Sequence, residues 1–227
     1  MAADKKIAVV LLSGGLDSTT ALYWAKRKGY VPVALAVHYG QRHSRELRAA
    51  RAVAKKAGVS LLETAFTLPW LGGSSLTNRK MKIPEIALAK IGGGGIPSTY
   101  VPGRNTIFLS LAMSLADAIG AECIVIGANA LDYSGYPDCR PPFLNAFSKV
   151  AKLGTKRGTE QHKGLKVVAP LLHLDKKGIV RLAERLGAPL SLTWSCYAGG
   201  SRPCGTCDSC QLRAKGFREA GSEDPAL

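Results

Sequence analysis

The sequence has few of the features that mark membrane, secreted or repeat proteins. No apolar stretch approaches the roughly 20 residues that a membrane-spanning helix needs, and the chain shows no internal repeat. Its first residues, MAADKK, lead into a strand-like run without the apolar region and cleavage site of a signal peptide. We therefore expect a cytoplasmic protein with no membrane partner.

Acidic residues are also scarce. The chain has 16 Asp and Glu against 31 Lys and Arg, which gives a formal net charge of +15 at pH 7. Such a balance favours anionic ligands, and nucleic acid is the first to consider. The basic residues are scattered over the predicted helices, however, and form no single arm or stripe. We therefore expect small-molecule substrates and no direct contact with nucleic acid.

Short apolar runs alternate with helical patterns along most of the 227 residues. The runs predict strands over 7–12, 31–37, 59–63, 121–126 and 165–169, each apolar on both faces. The patterns predict helices over 19–28, 44–57, 105–119 and 176–186. The third of these helices is apolar nearly all round, so we expect it to be buried within the core.

This alternation predicts a doubly wound α/β fold with a mostly parallel sheet, in which ligands bind at the carboxyl ends of the strands. From residue 192 onward, cysteine, glycine and proline replace the periodic pattern. We therefore expect a nucleotide-binding catalytic domain over residues 1–191 and a small metal-binding module, packed on it, over residues 192–227.

The stretch SGGLDS at residues 13–18 lies between the first predicted strand and the first predicted helix. Backbone N–H groups and the positive end of a helix meet at such a turn, and glycines let the backbone approach a phosphate. The stretch lacks the lysine of the GxxxxGKS/T phosphate loop and the spacing of GxGxxG. An ordinary turn without a ligand is the alternative, because turns also favour Gly, Ser and Asp.

Four of the six cysteines fall within the stretch CYAGGSRPCGTCDSC. These are Cys196, Cys204, Cys207 and Cys210. Four thiolates this close suit a tetrahedral Zn²⁺ ion with a structural role. Iron–sulfur ligation remains an alternative, because C-x2-C-x2-C also begins ferredoxin-type runs.

Three other stretches are dense in polar residues, namely HYGQRHSRE at 38–46, TYVPGRN at 99–105 and DYSGYPDCR at 132–140. The first and third follow predicted strands and the second precedes a predicted helix, so all three should open onto the same crevice. Each alone is typical of a solvated loop. Together they indicate a substrate site.

The loop SGGLDS resembles that of the PP-loop ATP pyrophosphatases. With the three polar stretches and SCYAGGSRPCGTCDSCQLRAKGF, the chain resembles the QueC family, the 7-cyano-7-deazaguanine synthases, from about residue 7 to 217. The resemblance implies an ATP-dependent, AMP-forming ligase that converts 7-carboxy-7-deazaguanine and ammonia into the nitrile for queuosine-type tRNA modification. Adenylated carboxylate and amide would be its intermediates.

The resemblance also implies cofactors and site residues. ATP, with Mg²⁺, would be bound by Leu12, Ser13, Gly14, Gly15, Leu16, Asp17, Ser18, Thr19 and Thr20. The catalytic residues would be Asp17, Arg104 and Lys176. The substrate would be bound by Arg104, Asn105, Asp132, Tyr133, Ser134, Asp138 and Arg140. The zinc ligands would be the four clustered cysteines, and the chain would form a homodimer.

Elementary chemistry agrees with this substrate. A carboxylate such as Asp132 or Asp138 could accept from the ring N–H and amino group of a deazaguanine. Tyr133 or Tyr136 could stack on its face. The substrate carboxylate needs a cation near the α-phosphorus, for which Arg104, Arg140 and Lys176 are the candidates.

Two other functions stay open from the residues alone. A tRNA-thiolating adenylase would use the basic charge and an iron–sulfur centre, but the chain has little spare length for an RNA-binding domain. A zinc-ribbon protein that binds nucleic acid would make SGGLDS a mere turn, which leaves the three polar stretches unexplained.

Overall fold

A parallel sheet of five strands forms the centre of the molecule. The computed structural model describes residues 6–91, 95–131, 135–160 and 164–226. The strands are β1 (Ile7–Leu11), β2 (Val31–His38), β3 (Ser60–Ala65), β4 (Cys123–Val125) and β5 (Lys166–Val168). They lie in the order β3-β2-β1-β4-β5, and every pairing is parallel. The predicted doubly wound α/β fold is confirmed.

Helices cover both faces of this sheet. They are α1 (Leu16–Arg27), α2 (Arg45–Ala57), α3 (Arg104–Ala118), α4 (Pro141–Leu153), α5 (Lys156–Thr159), α6 (Lys176–Arg185) and α7 (Asp208–Ala220). Apolar side chains of α1, α2 and α6 pack on one face, and those of α3 and α4 pack on the other. Burial of two apolar faces by helices is what an all-parallel sheet requires.

Helix α3 is less buried than its composition predicts. Its buried residues, Asn105, Leu109, Ala112 and Ala116, recur every three or four positions and so form one face. The prediction of a helix buried all round is therefore wrong. The helix is part of an outer layer on the sheet, so its other apolar side chains are only partly covered.

Strand β3 also differs from the expected strand with two apolar faces. It lies at the edge of the sheet, and Leu62 is 45% exposed. The neighbouring Glu63 binds the Arg51 guanidinium at 2.8 Å and His38 Nε2 at 2.9 Å. Charged side chains on an edge strand discourage pairing with another chain.

The sequence did not predict α4 or α7. Helix α7 begins directly after Cys207 and packs on α6, and its Phe217 belongs to the apolar core shared with α1 and α2. The boundary at residues 191 and 192 stays a prediction, and the second segment shares the core of the first. Within the described ranges, no helix is long and apolar enough to cross a membrane.

Candidate active site

The loop of residues 13–18 joins β1 to α1 and lines a cleft at the carboxyl edge of the sheet. The hydroxyl oxygens of Ser13 and Ser18 lie 3.0 Å apart, and the Ser13 N–H donates to Ser18 Oγ at 3.2 Å. Gly14 has a φ of +83°, in the left-handed region that favours glycine. A Cβ at this position would lie 2.4 Å from the Ala50 nitrogen of α2. Glycine is therefore needed for the close approach of the loop to α2.

Two other segments approach the same loop through their backbones. The Trp194 N–H donates to the Gly14 carbonyl oxygen at 2.9 Å. A Cβ at Gly127, just after β4, would lie 2.9 Å from the backbone nitrogen of Ser18. The loop is thus held between the end of β4 and the start of the C-terminal segment.

Asp17 and Lys176 form an ion pair in the cleft wall. Lys176 Nζ donates to both carboxylate oxygens of Asp17 at 2.9 Å. The lysine side chain is 6% exposed and that of Asp17 is 20% exposed. The pair places the Lys176 ammonium group beside the N-terminus of α1, where backbone N–H groups also attract anions.

The structure separates the nine predicted ATP ligands into two groups. Those that line the cleft are Leu12, Ser13, Gly15, Leu16, Asp17 and Ser18. Gly14, Thr19 and Thr20 are not part of the cleft wall. The Thr20 hydroxyl donates to the Leu16 carbonyl oxygen at 2.8 Å, and the Thr19 hydroxyl is buried with no hydrogen-bond partner among the described residues.

The N-terminus of α3 supplies Arg104 and Asn105 to the cleft wall. The side chain of Asp138 stabilises this end of the helix. Its buried carboxylate accepts from the Asn105 N–H at 2.9 Å, and the Asn105 side-chain amide donates to the Asp138 carbonyl oxygen at 3.1 Å. Asp138 therefore caps α3 and fixes the position of Asn105.

The other predicted substrate ligands are not in the cleft wall that the structure describes. Arg140 is exposed and is the N-cap residue of α4. Asp132, Tyr133 and Ser134 lie outside the described residues. Contact of these residues, and of Asp138, with substrate stays a prediction.

Glu46 is a residue of the cleft that the sequence reasoning missed, although it ends the stretch HYGQRHSRE. It lies in the first turn of α2, and Asp17 and Glu46 are the carboxylates that line the cleft. Glu46 is partly exposed at the cleft, and the surrounding protein partly desolvates its carboxylate. This desolvation raises the pKa of Glu46 to about 7; Arg104 opposes the shift and Cys196 adds to it.

Aromatic side chains cover much of the remaining wall. They are Tyr39, Phe108, Tyr136, Trp194 and Tyr197. The Tyr39 and Phe108 ring centres are 5.3 Å apart in an edge-to-face arrangement. Arg104 lies 5.9 Å from the Tyr39 ring centre and donates to its hydroxyl at 3.4 Å. The cleft therefore joins a phosphate-type loop to an aromatic compartment that includes Arg104.

The four clustered cysteines converge on one point. Their sulfur atoms all lie within 4.8 Å of one another, and Cys204 and Cys210 Sγ are 4.0 Å apart. Four sulfurs at about 2.3 Å from one tetrahedral Zn²⁺ would be about 3.8 Å apart. The N–H groups of Ala198 and Cys204 donate to Cys196 Sγ at 3.4 and 3.3 Å. Donor type, spacing and backbone support therefore fit a single metal ion.

A buried ion pair that the sequence did not reveal joins this region to the cleft. Arg213 lines the cleft, and its Nε and Nη2 bind the Asp224 carboxylate at 2.6 and 2.8 Å. Its Nη1 donates to the hydroxyls of Thr193 at 2.8 Å and Ser195 at 3.2 Å. Arg213 thus ties the chain near residue 224 to the segment that precedes Cys196.

Comparison with known sequences gives matches over nearly the whole chain. The family model for "Queuosine biosynthesis protein QueC" matches residues 7–221. The 7-cyano-7-deazaguanine synthase of Trichormus variabilis is 51% identical over 219 residues, 96% of this chain and 96% of the relative. That of Thermoplasma acidophilum is 51% identical over 222 residues, 98% of this chain and 92% of the relative.

Solved structures give more distant matches. NMN synthetase from Francisella tularensis is 10% identical, with a TM-score of 0.49 over 96% of this chain and 87% of that chain. The U34-tRNA thiolase NcsA from Methanococcus maripaludis is 20% identical, with a TM-score of 0.47 over 93% of this chain and 65% of that chain.

Proposed function

The chain belongs to the QueC family and is a 7-cyano-7-deazaguanine synthase by activity, and from this premise we propose how its cleft carries out the reaction. The substrates are 7-carboxy-7-deazaguanine, ammonia and two molecules of ATP. The products are the nitrile, AMP and pyrophosphate. The observation that carries the proposal is the Asp17–Lys176 pair beside the loop of residues 13–18, within a cleft that also has an aromatic compartment.

The loop binds the phosphates of ATP. Its N–H groups, the Ser13 hydroxyl and the N-terminus of α1 stabilise the charge of the leaving pyrophosphate, and Lys176 adds a fixed positive charge. Mg²⁺, which prefers carboxylate and phosphate oxygens, would be held by Asp17 and the phosphates and would neutralise their charge.

The first half-reaction activates the substrate carboxylate. A carboxylate oxygen attacks the α-phosphorus, and the bond from that phosphorus to pyrophosphate breaks. Ammonia then attacks the acyl carbon, AMP leaves with the electron pair of the carbon–oxygen bond, and the nitrogen loses a proton to give the amide.

The second half-reaction repeats this activation on the amide. The amide oxygen attacks the α-phosphorus of a second ATP and pyrophosphate leaves. Two protons then leave the nitrogen, the carbon–oxygen bond breaks toward AMP, and the nitrile forms. In both half-reactions, an oxygen of the same substituent attacks the α-phosphorus of ATP. One cleft therefore serves both.

A Zn²⁺ ion held by the four cysteines would stabilise the C-terminal segment and supply no chemistry to the reaction. Cys196 follows Trp194 and Ser195, which line the cleft, so metal binding would also fix this part of the wall. The close spacing of the sulfurs favours one ion over a multi-iron cluster.

The proposal extends to the setting of the enzyme. It acts in the cytoplasm as a homodimer on free small molecules, without direct contact with tRNA. The excess of basic residues then serves to attract anionic ATP and carboxylate substrate. Residues 1–191 supply the nucleotide site, and residues 192–227 supply the metal-bound segment.

The test is analysis of the products. The purified chain is incubated with Mg²⁺, ATP, an ammonium salt and 7-carboxy-7-deazaguanine, and quenched samples are examined by mass spectrometry. We expect AMP, pyrophosphate, a transient amide and then the nitrile. The amide supplied with ATP alone should also give the nitrile without ammonia. Release of AMP that requires tRNA, with no nitrile from the free base, would assign the chain to the thiolating class instead.

A further inference from the structure

We propose that Glu46 and Arg104 together recognise the pyrimidine edge of the substrate heterocycle. The Glu46 carboxylate would accept from the ring N–H and the exocyclic amino group, and the Arg104 guanidinium would donate to the ring carbonyl oxygen. This inference rests on the proposed function, because it takes 7-carboxy-7-deazaguanine as the substrate.

The two residues reach the cleft from different sides of the sheet. Glu46 lies in the first turn of α2, which packs on one face, and Arg104 is the first residue of α3, which packs on the other. Both line the cleft near Tyr39, whose hydroxyl accepts from Arg104 Nη1. A carboxylate and a guanidinium therefore both line the cleft near its aromatic side chains.

The other carboxylates at or near the described cleft have hydrogen-bond donors within the protein. Asp17 accepts two hydrogen bonds from Lys176, and Asp138 is buried against the Asn105 N–H. In the described ranges, no side chain or backbone group donates a hydrogen bond to the Glu46 carboxylate. A partly desolvated carboxylate that no protein donor stabilises is costly in free energy. Donors on a ligand would remove that cost.

The substrate offers a matching set of groups. Along one edge, a 7-deazaguanine presents a carbonyl acceptor, then a ring N–H donor, then an amino donor. Arg104 can donate to the carbonyl and Glu46 can accept from both donors, so the two side chains supply the complementary set of groups. The rings of Tyr39, Phe108 and Tyr197 line the same part of the cleft and can contact the faces of the heterocycle. Arg104 then acts in binding, while Lys176 remains the cation near the phosphates.

This arrangement predicts selection for the exocyclic amino group. A site built to satisfy a partly desolvated carboxylate rejects a ligand that lacks one of the donors, because the carboxylate then stays unpaired. The probe is the 2-deamino analogue of 7-carboxy-7-deazaguanine, which keeps the reacting carboxylate and the ring carbonyl. Any change in its rate therefore reports on the edge and not on the reacting groups.

The experiment compares kcat/KM for the substrate and the analogue in the wild-type protein and in Glu46→Gln. Wild type should prefer the substrate by about 100-fold. In Glu46→Gln, kcat/KM for the substrate should fall by about 10- to 100-fold, mainly through KM. The preference for the amino group should fall below about 5-fold, and KM for ATP should stay within about 2-fold of wild type.

Two further variants keep the result interpretable. Glu184→Gln, at an exposed position of α6 that does not line the cleft, should behave as wild type. Glu46→Asp keeps a carboxylate and should recover part of the preference for the amino group, which separates recognition from a fold defect.

A wild-type preference retained in Glu46→Gln would overturn the inference, and so would a loss of kcat with KM and preference unchanged. If Asp132→Asn abolished the preference for the amino group and Glu46→Gln did not, Asp132 and not Glu46 would recognise that group. These comparisons require a wild-type protein that makes the nitrile. Failure of the proposed function would be seen separately, because then neither the wild type nor any variant would form the nitrile.

Discussion

Lys176 Nζ lies 2.9 Å from each carboxylate oxygen of Asp17, although the two residues are 159 positions apart in the chain. The contact joins the first turn of α1 to the first residue of α6, and so brings together two segments that are far apart in sequence. It is the central contact of the proposed phosphate site.

Removal of the lysine charge should impair the use of ATP. We expect Lys176→Met to lower kcat/KM for ATP by about 100-fold or more, because a cation that stabilises the leaving pyrophosphate is lost. Binding of the heterocycle should change little. Steady-state kinetics with each substrate varied in turn measures the effect. Lys177→Met removes a neighbouring charge outside the cleft wall and is the control; equal losses in both variants would argue against the assigned role.

Substitution of Gly14 should disturb the loop far more than its backbone conformation alone explains. Gly14→Ala places a Cβ 2.4 Å from the backbone of α2, whereas Gly29 has nearly the same φ, +81°, and a Cβ added there would meet no atom within 4 Å. Both variants carry the cost of a left-handed alanine, about 1 kcal/mol. Thermal unfolding should therefore show a clearly larger loss for Gly14→Ala than for Gly29→Ala, accompanied by loss of activity. Similar unfolding temperatures would contradict the tight approach.

The cysteine cluster should bind about one zinc ion per chain. Cys207→Ser should lose the metal and lower the unfolding temperature, because the ion links the segment before Cys204 to the start of α7. Elemental analysis and calorimetry provide the measurements. Cys123→Ser, which changes a buried cysteine of β4, should keep full zinc. A brown protein with stoichiometric iron after anaerobic purification would instead indicate an iron–sulfur centre at this site.

The buried pair of Arg213 and Asp224 should be important for stability and for the cleft wall. Asp224→Ala leaves the Arg213 charge buried without its partner, which costs about 3–5 kcal/mol. Chemical denaturation should show this loss, and Glu223→Ala, an exposed neighbour, should be close to neutral. If Asp224→Ala unfolds like wild type, the pair contributes nothing to stability.

Protonation of Glu63 at low pH should destabilise the edge of the sheet. Hydrogen bonds from Arg51 and then from His38 lower the pKa of Glu63 to about 2 from its usual 4.5. Since the folded-state pKa is depressed, ionised Glu63 stabilises the protein above pH 4.5, and this contribution disappears as the pH falls toward 2. Glu63→Gln should thus be less stable than wild type at pH 6, by about 1 kcal/mol or less, and equally stable near pH 2. A pH-independent difference would contradict this origin.

Much of the fold follows from local sequence patterns. The runs that became β1 and β2 and the terminal glycine of α2, Gly58, lie where the periodicity predicts them. Helices α4 and α7 were missed because prolines begin the first, and cysteines and glycines obscure the apolar spacing of the second. For α3, composition could not show which face would be covered, because that depends on the sheet beneath it.

The candidate site, like the fold, could be predicted from the sequence only in part. The sequence identified SGGLDS and the four cysteines, since each is a short stretch whose residue types suit one chemistry. It indicated Asp138 as a substrate ligand, while the folded chain uses that carboxylate to cap α3. It assigned no role to Glu46, because nothing in a single helical turn shows that protein will partly desolvate the carboxylate.

Local sequence patterns therefore predict the strands and most of the helices, the glycine loop and the close spacing of the four cysteines, and they carry the family resemblance. The folded chain brings distant groups together: it pairs Asp17 with Lys176 and Arg213 with Asp224, and it places Glu46 and Arg104 in one cleft wall. The two kinds of feature depend on interactions between residues at different separations along the chain. Backbone conformation and ligand spacing are set by neighbours in the chain, whereas ion pairing and desolvation depend on the packing of segments that are far apart in sequence.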